Sequence, residues 1–249
     1  MLALFCLRLA FGLIGSLLIL NPARINPRFF RVHFLTALGL TALAAVFLRE
    51  TADLWLWAAL AAGGFFAFLG SVSWSLDRAP GGRPLIVLTA LAGAAALLLA
   101  ELAGEHPAGL GWQLAGDFAS AALLGTATTA MLMGHSYLIA PAMSLTPLLR
   151  LLAAVAVAAG LRLALAGVGL WCWTEGHSLA NLTDVTVLWL PVRWVVGLLG
   201  PLVLAWMAWQ AARIRSTQSA TGILYVVVIF CFLGELTGQL LLSTTGYLL

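Results

Sequence analysis

Long apolar runs alternate along this chain with short gaps that collect most of its charge. Residues 85–100 hold no charged side chain, and residues 151–168 hold one, Arg162. A hydrocarbon layer about 30 Å thick is crossed by about 20 residues of helix, and lipid offers no partner to an unpaired backbone amide. Such runs therefore cross as helices. The alternating segments of about ten residues that build a membrane barrel are absent. The pattern predicts eight spans, near 2–20, 33–48, 54–75, 85–103, 119–140, 148–172, 185–209 and 221–247. Seven is the alternative count, because spans two and five carry Pro or charge at their ends and span two is short enough to thin the bilayer locally. Residues 105–118 are the longest polar connection and are expected to be a loop. The expected fold class is all-α, a polytopic helix bundle in which residues 1–249 form a single transmembrane domain.

Composition agrees with a bilayer as solvent. Hydrophobic residues make up 63% of the chain and charged residues 8%, against about a quarter charged in a soluble domain. The mean hydropathy is +1.06. Residues 1–20 lack the basic start and small-residue cleavage site of a signal peptide, so they are expected to remain as a mature helix.

Charge orients the bundle. All 12 basic residues are Arg. Arg24, Arg28 and Arg31, then Arg78 and Arg83, then Arg150, then Arg213 and Arg215 occupy every second gap. The other gaps hold Glu50, Asp53, Glu105, Asp117, Glu175 and Asp184 against Arg49. Arg-rich gaps face the cytoplasm, which sets both termini on the exterior or periplasmic side. Trp55, Trp57, Trp112, Trp171 and Trp173 fall near the exterior ends, as an interfacial aromatic belt would. The lack of Lys and the bias to Ala, Gly, Leu and Arg suggest a high-GC bacterial genome and hence the bacterial inner membrane. The net charge of +3 then reports topology; no nucleic-acid partner is expected.

Cys6, Cys172 and Cys231 are widely separated, with no zinc spacing or haem-attachment signal. They read as small buried apolar residues. Gly63, Gly64 and Gly70, like Gly160 and Gly167, read as sites where helices approach closely.

Ionisable residues inside spans carry the functional question, because each costs a few kcal/mol near the bilayer centre without a partner or water. Arg8, Arg162, Arg193 and Glu235 lie deep. At about 1.5 Å per residue, Arg193 and Arg8 fall about 13 and 11 Å below the exterior ends of their spans. Arg162 and Glu235 stand about 21 Å above the cytoplasmic starts of theirs, so all four are expected in one layer. Three guanidiniums and one carboxylate do not balance. A lipid headgroup, a quinone carbonyl, a haem propionate or a partner subunit's acid would complete the charge; structural salt bridges between helices, with Arg8 reaching the interface, are the plain alternative.

His135 and Tyr137 place an imidazole and a phenol near the cytoplasmic end of span five, with Thr126, Thr128 and Thr129 earlier on the same helix. A quinone head there could exchange protons with the imidazole, while a hydrogen-bonded packing role is the plain alternative. His33 is expected at a similar level, so His33 and His135 are also candidate axial ligands of a non-covalent b-type haem, although His33 lies at a helix edge. His106 and His177 are expected in solvated exterior loops.

In span eight, Gly234-Glu235-Leu236-Thr237-Gly238-Gln239 resembles the late-helix pattern of the membrane-anchor subunits of polysulfide and DMSO reductases. Gln239 stands where that pattern has Arg. The resemblance implies eight helices with exterior termini, no haem, a redox-partner subunit in a respiratory complex, and Glu235 as a quinone-site or proton-path residue. Two function classes compete. One is a quinone-contacting, non-catalytic anchor subunit of a respiratory oxidoreductase. The other is a small-solute or ion transporter or channel lined by Glu235, Arg193 and Arg162, for which Pro191 and Pro201 would break span seven. A membrane-embedded hydrolase or transferase would need a facing catalytic pair, and Asp is expected only in loops.

Overall fold

A computed structural model describes residues 1–76, 81–104, 109–140, 143–176 and 184–249. Arg78, Glu105, His106, Pro141 and His177 lie outside the described residues, as do the side chains of residues 176 and 184–187. The described residues contain helices and no strand. Their contacts divide the chain into two compact units, Met1–Gly104 and Glu105–Leu249.

The first unit is built from α1 (Leu2–Ser16, extended by a short 3-10 turn), α2 (Pro27–Leu48), α3 (Leu54–Ser73) and α4 (Gly82–Leu102). Each helix packs on the next, and α4 returns to α1, closing a four-helix ring. The starts are written in the sequence. The Asn26 side chain accepts from the Arg28 amide at 2.9 Å ahead of Pro27, and the Asp53 carboxylate accepts from the Leu56 amide at 2.8 Å, each satisfying a donor that the first turn leaves unpaired. The core gathers Cys6 and Leu7 with Ala44, Leu56, Leu60, Ala96 and Leu97. Gly70 sits directly under the Phe34 ring, and Phe30 stacks on Trp74 with ring centroids 4.2 Å apart.

The second unit contains α5 (Leu110–Ile139), α6 (Thr146–Gly176), α7 (Asp184–Pro191), a π-helical segment (Val192–Leu199), α8 (Gly200–Arg213) and α9 (Thr217–Thr245). The segment α7–π–α8 is one interrupted span. Here too the order of packing is a ring: α5 on α6, α6 on α8, α8 on α9, and α9 on α5. The π turn has a local cause. Pro201 has no N–H, and its ring crowds the carbonyl four residues back, at Gly197; the Gly200 amide instead reaches the Val195 carbonyl, five residues back. The backbones of α9 and the π segment touch at Gly234 and Gly197, where a Cβ on either residue would collide with the other's Cα.

Seven helices among the described residues are long and apolar enough to cross a bilayer. The remaining long helix, α5, has 30 residues, about 45 Å, and is the eighth. Its Ser, Thr and Gly content keeps its hydropathy low, and 16 of its residues are buried, so protein rather than lipid surrounds much of it. The chain is thus a multi-pass membrane helix bundle.

Two expectations are corrected. Helix α2 begins at Pro27, not near residue 33, so span two is full length at 22 residues and His33 lies within it. The 105–118 connection is not all loop: α5 starts at Leu110 behind Gly109 at φ 94°. Asp117 is accordingly a buried helical residue. The Asn26 side chain caps the first of these starts and Gly109 supplies a positive φ ahead of the second, signals that hydropathy alone passes over. Of the tryptophans expected near the exterior ends, Trp55 and Trp171 are exposed, whereas Trp173 is buried and packs with Leu241 and Leu249.

The glycine crossing gives the first prediction. Gly234→Val should lower thermal stability of the detergent-solubilised protein by about 3 kcal/mol or prevent folding, because backbone cannot yield to the added atoms. Gly160→Ala, in mid-helix where a Cβ meets nothing within 4 Å, should leave the transition in place or raise it slightly.

Candidate functional site: one carboxylate shared by two guanidiniums

Helix α9 carries Glu235 to the interior of the second unit, where α6 supplies Arg162 and the π segment supplies Arg193. All three are buried, Glu235 and Arg193 completely. Arg162 grips the carboxylate with two nitrogens: Nε donates to Oε1 at 3.0 Å and Oε2 at 3.2 Å, and Nη2 donates to Oε2 at 3.1 Å. Arg193 approaches from the other side, Nη1 donating to Oε1 at 3.0 Å and to the Gly234 carbonyl at 2.9 Å. Its Nε donates to the Leu249 carbonyl at 3.2 Å.

Small residues make this possible. A Cβ on Gly238 would stand 3.0 Å from the Arg193 Cζ, so glycine lets the guanidinium lie flat on α9. The Leu249 carbonyl is delivered by residues 246–249, which turn back from α9 at Gly246 with φ 76°. That turn seats Leu248 against Gly116 of α5 and brings its carbonyl onto Gly169 of α6.

Two guanidiniums meet one side-chain carboxylate, and the main-chain oxygens of Gly234 and Leu249 supply the other acceptors. Arg162 Nη1 and Arg193 Nη2 are buried without a hydrogen-bond acceptor among the described residues. Buried N–H groups in this state call for an acceptor such as a carbonyl, a water or an anion.

Of the four residues expected in one layer, Arg162, Arg193 and Glu235 come together. Arg8 belongs to the first unit, where its Nη2 lies 3.9 Å from Glu101 Oε1 with both side chains buried. Glu101 was missed because it lies next to the end of α4 (Leu102), where an acid passes for a gap residue. The Leu249 main-chain oxygen carries no signal of its own in the sequence. Asp117 corrects the expectation that Asp is confined to loops, and Gln113 Nε2 stands 3.5 Å from its Oδ1 one turn earlier.

His135 and Tyr137 are not brought together. The Tyr137 ring is fully buried and its hydroxyl donates to the Ser144 carbonyl, tying down the turn into α6. His135, two residues earlier and so on the opposite side of α5, is exposed. His33, in the first unit, is buried with Nδ1 2.8 Å from the Phe29 carbonyl and its ring centroid 4.4 Å from that of Phe29. No group of three His, Cys, Asp or Glu able to share a metal ion occurs among the described residues. Thr126 and Thr128 bond back to carbonyls of their own helix.

Comparison of the chain with protein-family models, curated proteins and solved structures finds no match.

Removing the carboxylate would leave two buried cations facing each other. Glu235→Gln should therefore cost about 3–5 kcal/mol of stability, read as a fall in the thermal midpoint. In a double-mutant cycle, Arg162→Gln and Glu235→Gln should couple by more than about 1 kcal/mol; strict additivity would dissolve the pair.

Proposed function

We propose that the chain is a membrane-embedded anchor subunit of a bacterial respiratory oxidoreductase, set in the inner membrane with both termini outside, and that the second unit receives a quinone head. One observation carries the reading: two buried guanidiniums share a single carboxylate and keep two nitrogens without an acceptor among the described residues. A quinone carbonyl is an acceptor that is soluble in the bilayer. As it is reduced, negative charge develops on the same oxygen, and guanidinium donors aimed at it favour that change. The Glu235 carboxylate is engaged by both guanidiniums, so binding and electrostatic stabilisation are what these residues contribute, with electrons supplied by a redox-partner subunit. The alternation of Arg-rich gaps supports the orientation, and the resemblance around Gly234–Gln239 supports the partner.

Transport is the second reading, and the π segment favours it. A π turn flanked by Pro191 and Pro201 in a membrane helix is a place where a span can re-wind, and Arg193 sits on it.

Mass spectrometry of the protein purified from its native membrane decides between them. The anchor reading expects redox subunits to co-purify and a quinone to be recovered, and expects Arg162→Lys, which keeps the charge and removes the free Nη1, to reduce quinone retention about tenfold or more. A lone, quinone-free protein that carries solute into liposomes would establish transport instead.

A further inference from the structure

A second feature of the same unit lies away from the Glu235 cluster. Between α6 and α8 runs an open groove of about 470 Å³. Ala153 and Ala156 of α6 leave its floor low, Trp206 and Trp209 of α8 stand along it, and Gln210 and Arg213 close one end. Its α8 wall runs from Leu202 to Arg213, about 16 Å at the helical rise. That is about half of a hydrocarbon layer about 30 Å thick, or one leaflet. The polar end coincides with the point where α8 finishes at Arg213, in one of the Arg-rich gaps.

Charge at that end is one-sided. Arg150 precedes Ala153 by about one turn of α6, Arg213 lines the groove, and Arg215 follows. No Asp or Glu occurs between residues 118 and 174 or between 185 and 234. A guanidinium without a nearby carboxylate, placed at headgroup level, matches a phosphate in charge and in fork geometry. Basic pockets between membrane helices on the cytoplasmic side bind anionic headgroups in this way.

We propose that the α6–α8 groove is a binding site for an anionic phospholipid, with one acyl chain lying along Ala153, Ala156, Trp206 and Trp209 and the headgroup phosphate on Arg213. Gln210 is placed to donate to the ester region of the same lipid. The apolar wall selects an alkyl chain, and Arg213 selects the charge.

The test uses the full chain in vesicles containing brominated phosphatidylglycerol or brominated phosphatidylcholine as quenchers of tryptophan fluorescence. The signal of the groove is the difference between the natural chain and a Trp206→Phe/Trp209→Phe variant. Phosphatidylglycerol should quench this signal at about fivefold lower mole fraction than phosphatidylcholine, as about one basic contact provides, and added salt should narrow the gap. Arg213 is exposed, so Arg213→Gln should keep the fold and lose the preference, while Arg213→Lys keeps most of it. Ala156→Trp, which fills the floor, should abolish the preference by a different route. Equal quenching by the two lipids, a preference that survives Arg213→Gln, or recovery of quinone in place of phospholipid in an Ala156-dependent manner would each overturn the proposal.

Discussion

Glu235 is the constraint on which the second unit depends. Burying any one of these charges alone would cost several kcal/mol, and each charge offsets that cost for the others. Because Arg162 comes from α6, Arg193 from the π segment and Glu235 from α9, one ionic contact fixes three segments that are far apart in the chain. Hydrophobic burial cannot do this in a membrane, where lipid tails are as apolar as Leu, so polar contacts and close backbone packing must specify which helices meet and at what height.

The close packing and the charge depend on each other. Gly234 meets Gly197 backbone to backbone, and the Gly234 carbonyl is itself an acceptor for Arg193 Nη1. One turn on, Gly238 provides the bare surface for the guanidinium. The string around Glu235 is thus a single device: small residues bring α9 close enough for a side chain of the π segment to reach both its backbone and its carboxylate.

Much of this was readable in the residues, and what was not has physical reasons. The spans followed from apolar length, and Arg162, Arg193 and Glu235 identified themselves as charges deep within those spans. Their meeting was readable only as a matter of height. The pairing of Arg8 with Glu101 was hidden because Glu101, although inside the expected 85–103 span, lies so near its end that an acid there reads as facing water. Asp117 was hidden for the converse reason: low hydropathy marks contact with water, but in α5 it marks contact with other helices. Hydropathy reports the solvent of a segment, and for a helix enclosed by protein that solvent is neither lipid nor water. His135 and Tyr137 were read as one site from their closeness in sequence, while the helix turns them to opposite sides.

The polarity of α5 bears on how the chain enters its membrane. A segment with Asp117 near one end, His135 near the other and hydroxyls between them gains little by leaving an insertion channel for lipid on its own. It becomes comfortable when α6 and α9 cover it, and α9 is synthesised well after it. Biogenesis of the second unit is therefore cooperative in time as well as in space: α5 must be retained beside the channel until residues made about 100 positions later arrive to shelter it.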